Sequence, residues 1–164
     1  MKIHPAERWL DRQFERVDIG RNGDTYLIRW FLVGGPMWSP KLLNRRLMLH
    51  RFLRSDWDDA LHDHPWPYTS LILSGGYTEW SPNTDLGEVV AFGPNVGRWY
   101  GPGSLLRRPA DWRHRVEIPD GKDCWSLVTT GKKVRSWGFH CPQGFIPWRQ
   151  FVERADVGLP GCGD

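Results

Sequence analysis

Three histidines carry the spacing that can do chemistry in this 164-residue chain: His62 and His64 in LHDHPW, and His114 in RRPADWRHRVEI. In an extended segment side chains alternate between faces, so His62 and His64 project to one side and Asp63 to the other. The same alternation groups His114 with Val116 and Ile118, opposite Arg113, Arg115 and Glu117, so His114 is expected to face inward. Each buried ring nitrogen needs a partner. Three neutral imidazoles meeting inside a β-rich domain are therefore better explained as metal ligands than as packing. His50, in phase with Met48 and Phe52 in RLMLHRFL, is expected to face the same space. His4 and His140 take the default reading of hydrogen-bonded structural residues. A nucleophilic pair of His140 with Cys141 is rejected, because neighbouring strand residues point apart.

The elements that must position these residues are mostly strands. TYLIRWFLV, RLMLHRFL, TSLILSGGYTEW, EVVAFG, SLLRRP, WRHRVEIP, CWSLVTT and VRSWGFHC are short segments rich in β-branched and aromatic residues. They are separated by Gly, Pro, Asn or Asp, with SPKLLN as a turn. Gly75-Gly76 reads either as a connection between two strands or as a bulge. PAERWLDRQFERV places Trp9, Leu10, Phe14 and Val17 at roughly helical spacing, which predicts a short N-terminal helix. PQGFIPWRQFVERAD predicts an extended C-terminal tail with a final helical turn or two. Phe145, Ile146, Trp148 and Phe151 are expected to pack it on the outside of the sheet. This order of elements predicts an all-β sandwich or small barrel, not βαβ units.

Composition agrees. The chain has 18 Gly, 13 Pro and 11 Trp, and its length suits a single domain over residues 1–164 with a core of about 25–141. A formal charge of +3 is small. The local basic clusters, Arg45-Arg46 and Arg107-Arg108 among them, read as solvated faces, and no nucleic-acid partner is indicated. Arg107 and Arg108 alternate in facing, so one should look inward, where it would suit a carboxylate or phosphate. The three cysteines, Cys124, Cys141 and Cys162, show no C-x-x-C spacing, so no disulfide framework is expected and a reducing, cytoplasmic setting is. The most apolar stretch, Tyr26 to Val33, is short and interrupted by Arg29, so no membrane span is expected. Phosphate-loop, nucleophile-elbow and H-E-x-x-H patterns are absent.

With these residues in view, the chain resembles the cupin superfamily, whose two motifs read G-x5-H-x-H-x3,4-E-x6-G and G-x5-P-x-G-x2-H-x3-N. Gly103, Pro109 and His114 match the second, with Asp111 and Ile118 standing where Gly and Asn are usual. His62, His64 and Gly76 match the first, but Asp56 replaces its opening glycine and Thr69 its glutamate. The resemblance implies a double-stranded β-helix, the cupin jelly roll, holding one divalent metal on His62, His64 and His114. It makes a homodimer an expectation. With Thr69 a poor ligand, the site is expected to be either a facial three-histidine site, similar to that of thiol dioxygenases, or one joined by another carboxylate. Glu79 is the first choice, ahead of Asp58, Asp59 and Asp63.

The leading expectation is a mononuclear non-haem iron oxygenase or dioxygenase acting on a small polar or anionic molecule. Fe(II) is favoured, with Zn, Ni or Mn as other metals. Two alternatives share the fold: a non-catalytic small-molecule-binding or structural cupin, and a sugar isomerase or epimerase using His50 or Glu79 as its base.

Overall fold

The run TYLIRWFLV becomes the spine of the largest sheet because both of its faces find cover. In the computed structural model, which describes residues 5–21, 23–34, 45–56, 58–83, 95–156, 158 and 161–162, it forms β2 (Asp24–Val33). Leu27 and Phe31 are buried on one face; Ile28 and Trp30 are buried on the other, beneath Leu10 of helix α1 (Pro5–Gln13). A strand covered on both sides reads as a continuous apolar run, so its alternation is faint in the sequence. Trp30 also donates its indole N–H to Asp11 at 2.8 Å, fastening the helix to the sheet. The expected N-terminal helix is present but stops short of Val17, which lies in β1 (Glu15–Arg21) and packs against Phe31, Met48 and Val128.

The remaining strands are β3 (Leu47–Phe52), β4 (Leu61–His62), β5 (Tyr68–Ser74), β6 (Tyr77–Pro82), β7 (Asn95–Tyr100), β8 (Leu105–Arg108), β9 (Arg115–Glu117), β10 (Cys124–Thr130), β11 (Gly138–Cys141) and β12 (Gly144–Pro147). One antiparallel sheet runs β1-β2-β3-β10-β5-β8; two three-stranded groups run β12-β11-β4 and β7-β6-β9. An antiparallel bridge between His62 and His114 joins these two groups into a second wall. Ile72, Leu106 and Cys124 from the first wall pack with Tyr77, Val116 and Ile118 from the second, so the core lies between them. This architecture is the double-stranded β-helix that the motifs implied. The segments EVVAFG and SPKLLN, and His4, lie outside the described residues.

Gly75-Gly76 marks a change of sheet. β5 pairs with β10 and β8, whereas β6 pairs with β7 and β9, so the two strands do not form a hairpin. Gly75 has φ 72°, and a Cβ there would lie 2.0 Å from the Asp123 carbonyl oxygen, so the crossing needs a residue without a side chain.

At the C-terminus one expectation is extended and one corrected. The tail is extended through β12 and then helical, as expected, but the helix, α2 (Trp148–Asp156), is nine residues long, and its Phe151 is buried and stacks on Phe139 at 3.7 Å. The cysteines are not all unpaired: Cys141 and Cys162 form a disulfide, and Cys124 stays free and buried. The helix folds the chain back, so two cysteines 21 residues apart in sequence become neighbours, which spacing alone did not reveal. A disulfide also removes the ground on which a reducing compartment was expected. Among the described residues no helix is long and apolar enough to cross a membrane.

Candidate metal centre

His62 ends β4, His64 follows two residues on, and His114 sits just before β9, bridged to His62 by reciprocal backbone hydrogen bonds of 2.8 and 2.9 Å. That bridge is what brings the distant histidine to the first two. One ligand nitrogen from each of the three rings lies within 4.8 Å of the others. Alternation holds for Asp63, which points away and is fully buried, accepting from the Gly138 N–H at 3.0 Å and pairing with His140 and Arg135. Asp63 thus anchors the strand while its neighbours face the centre, and His140 takes the structural role expected of it.

Burial pushes His62 and His64 well below the usual histidine range, with repulsion from His114 adding to it. Their rings are therefore neutral at pH 7, the state in which a nitrogen lone pair can bind a cation. His64 Nε2 and His114 Nε2 are 2.9 Å apart. Two nitrogens in adjacent positions about 2.1 Å from one metal ion would be separated by about 3 Å, so the spacing suits a shared cation. The donor set, all imidazole, suits Fe, Zn or Ni.

Glu79, on β6, reaches His114 from the other side of the ring. Its Oε1 lies 2.9 Å from His114 Nδ1, which fixes the proton there and leaves Nε2 as the ligand nitrogen. Burial alone would raise the Glu79 carboxyl, but hydrogen bonds from His114 and Arg108 bring it down to about 2. Arg108 donates to Glu79 Oε2 at 2.5 Å, and Trp112 donates to Oε1 at 3.3 Å, so Arg108 and Trp112 both face inward. This placement directs Glu79 to the back of a ligand, away from a fourth coordination position. Thr69, at the position where the motif has glutamate, lies opposite Arg107 in the β5–β8 register and lines a pocket instead.

His50 faces the interior as its phase predicted, and burial together with Arg29 keeps its pKa well below the usual range. Its Nε2 accepts the Arg29 Nε–H at 2.9 Å, so its lone pair is already engaged. Arg29 itself is brought down to about 10, chiefly by burial.

Three residues near the centre had no role toward the histidines in the sequence reading. The Tyr68 hydroxyl lies 3.3 Å from His114 Nε2, and burial raises its pKa well above the usual range. Pro65 and Pro67 hid the parity of Tyr68 relative to His64. Asp56 approaches His62 Nδ1 at 3.9 Å and accepts the Val116 N–H at 2.7 Å. Arg29 had a signal that went unused: a lone charge inside the most apolar strand. Around the histidines, Trp137 lies parallel to His64 at 6.5 Å and stacks on Trp148, while Phe139 lies 5.8 Å from His62. A pocket of about 430 Å³, lined by Arg45, Tyr68, Thr69, Arg107, Arg108 and Thr130 among others, opens beside Tyr68.

No family profile matches the sequence, and no protein of curated function matches it either. Solved structures do. A cupin-2 domain from Rhodospirillum rubrum aligns with a TM-score of 0.57 at 12% identity over 88% of this chain and 82% of its own. The polyketide cyclase RemF from Streptomyces resistomycificus aligns at 0.55 and 14% identity, covering 99% of this chain and 95% of that one. Fe(II) HppE aligns at 0.54 and 12% identity over 80% of this chain, which spans only 60% of that protein's length. The chain therefore has the cupin fold, a double-stranded β-helix. Within it, a three-histidine cluster compatible with a divalent metal sits between the two walls.

Proposed function

We propose that the protein is a metal-dependent cupin enzyme, a mononuclear non-haem iron oxygenase or dioxygenase acting on a small polar or anionic molecule. The observation that carries this reading is the set of clustered imidazoles, two held neutral by burial and the third oriented by Glu79 at its Nδ1. The structural likeness to Fe(II) HppE supports iron within this fold. Fe(II) bound by His62, His64 and His114 would supply the redox chemistry through which substrate and dioxygen react.

The chain's own residues have definable parts. Glu79, held charged by Arg108, keeps the proton on His114 Nδ1 and the Nε2 lone pair turned toward the centre. Tyr68 stays protonated at neutral pH, so it donates a hydrogen bond beside His114 and does not act as a base. Trp137 and Phe139 lie beside His64 and His62 and restrict the directions their rings can turn. An isomerase or epimerase would need a free base, and neither candidate offers one. Glu79 is engaged by Arg108, Trp112 and His114, and the His50 lone pair by Arg29.

Loading the purified protein with Fe(II) and following oxygen uptake against thiols, diketones and phenols tests the proposal. Uptake dependent on both iron and one substrate class is expected, and His62→Ala should abolish it. Stoichiometric iron binding with no uptake for any class would overturn the oxygenase reading in favour of a binding cupin.

A further inference from the structure

We infer that Arg29 and Ser126 form an anion subsite on the interior wall opposite the histidines, and that the substrate is a small carboxylate anchored there while its other end reaches the metal. The inference rests on the metal-dependent reading above and adds the substrate class. Arg29 on β2, His50 on β3 and Ser126 on β10 are direct cross-strand partners, so they form one polar row across three adjacent strands. Their flanking neighbours on that face, Phe31, Met48 and Val128, are apolar and buried. A polar row crossing an apolar wall needs a partner.

Among the described residues Ser126 lacks one, and Arg29 finds only the neutral ring of His50. Arg51, Arg108 and Arg135 each reach a buried carboxylate, whereas no described carboxylate lies within ion-pair distance of Arg29. Its hydrogen bond runs from Nε to neutral His50, which among the described residues leaves the Nη1 and Nη2 edge of the fork for another group. Ser126 is fully buried, and its hydroxyl is the buried side-chain polar atom without a hydrogen-bond partner among the described residues. A guanidinium edge and a hydroxyl on one wall suit a carboxylate, whose single charge Arg29 balances and whose planar oxygens match the fork. The wall continues to the metal centre. Tyr68 packs against Phe31, Met48 and Val128, its hydroxyl reaches His114 Nε2, and it also lines the open pocket beside Arg108.

The test compares thioglycolate with its neutral counterpart 2-mercaptoethanol, using the visible spectrum of Co(II)-loaded protein and calorimetry of metal-free protein. Loss of a charge-assisted hydrogen-bonded contact predicts a preference for thioglycolate of about 30-fold in the unaltered protein. Arg29→Gln should abolish it, and Ser126→Ala, which removes a hydroxyl no other group uses, should weaken it about fivefold. Arg29→Met should retain or raise the melting temperature. A lower melting temperature with the preference intact would mark Arg29 as structural and overturn the proposal. So would equal affinity for the two thiols, or loss of the preference with Arg107→Ala instead. Failure of cobalt to bind, with an Arg29-dependent preference persisting in the metal-free protein, would remove the metal reading and leave the anion subsite. Cobalt binding with no preference would do the reverse.

Discussion

Glu79 keeps its charge in a buried place because Arg108, Trp112 and His114 all converge on it. Such a carboxylate raises the basicity of the imidazole it holds and fixes its orientation, and losing it typically weakens metal binding. Glu79→Gln is therefore expected to lower metal affinity about 10- to 100-fold. Competition with a chromophoric chelator measures this, and unchanged affinity would show that Glu79 serves only the fold. The carboxyl also leaves a mark on acid stability. With its pKa brought from 4.5 down to about 2, the unfolded chain takes up the proton first as pH falls. Its contribution is complete above about pH 4.5 and disappears as pH drops through about 2, and in Glu79→Gln that segment of the stability curve should flatten. The histidines act at higher pH in the same direction. His50, His62 and His64 are held neutral in the fold, so the unfolded chain binds their protons below about pH 6.5 and stability falls as pH decreases from there. Denaturant unfolding of the metal-free protein between pH 7 and pH 5 should show the loss.

Helix α2 and the disulfide act together on the strand beside the centre. Phe151 is buried on Phe139, which adjoins His62, and Trp148 stacks on Trp137, which adjoins His64. Cys162, beyond the helix, is tied to Cys141 at the end of β11. Closing a loop of 21 residues restricts the unfolded chain, so reduction is expected to cost roughly 3 kcal/mol. Unfolding with and without reductant measures it; coincident curves would mean that packing alone docks the helix. Phe151→Ala should cost about 3–5 kcal/mol, as for other buried aromatic truncations, and should weaken metal binding through Phe139. The N-terminal helix was legible because Leu10 and Phe14 recur at helical spacing. The C-terminal helix was underestimated because Gly144 and Pro147 precede it closely and suggest an extended chain. Its stability comes from Phe151 entering a contact with a strand ten or more residues earlier, which local propensity does not encode.

At the scale of the whole molecule, the two walls meet at the histidines, where Tyr68 of β5 reaches His114, and binding there should stabilise the fold. A metal bound only by the folded state, at a free concentration about 100 times its Kd, adds about 2.7 kcal/mol, which for a chain of this size raises the melting temperature by about 5–10 °C. A chelator should reverse the shift. No shift with Fe(II), Zn(II), Ni(II) or Mn(II) would mean that the three rings do not act as one centre.

The sequence by itself determined which way the site residues face. His62 with His64, Asp63 turned away, His114 inward and His50 in phase with Met48 all follow from the two-residue period of a strand, a local property of backbone geometry. What only the tertiary structure decided is which of these residues meet. The His62–His114 bridge, Glu79 behind His114, Arg29 beside His50 and Cys141 against Cys162 each join segments about 20 to 50 residues apart. Strand order and register set those meetings. They depend on how the whole apolar interior packs, and no short stretch of chain carries that information.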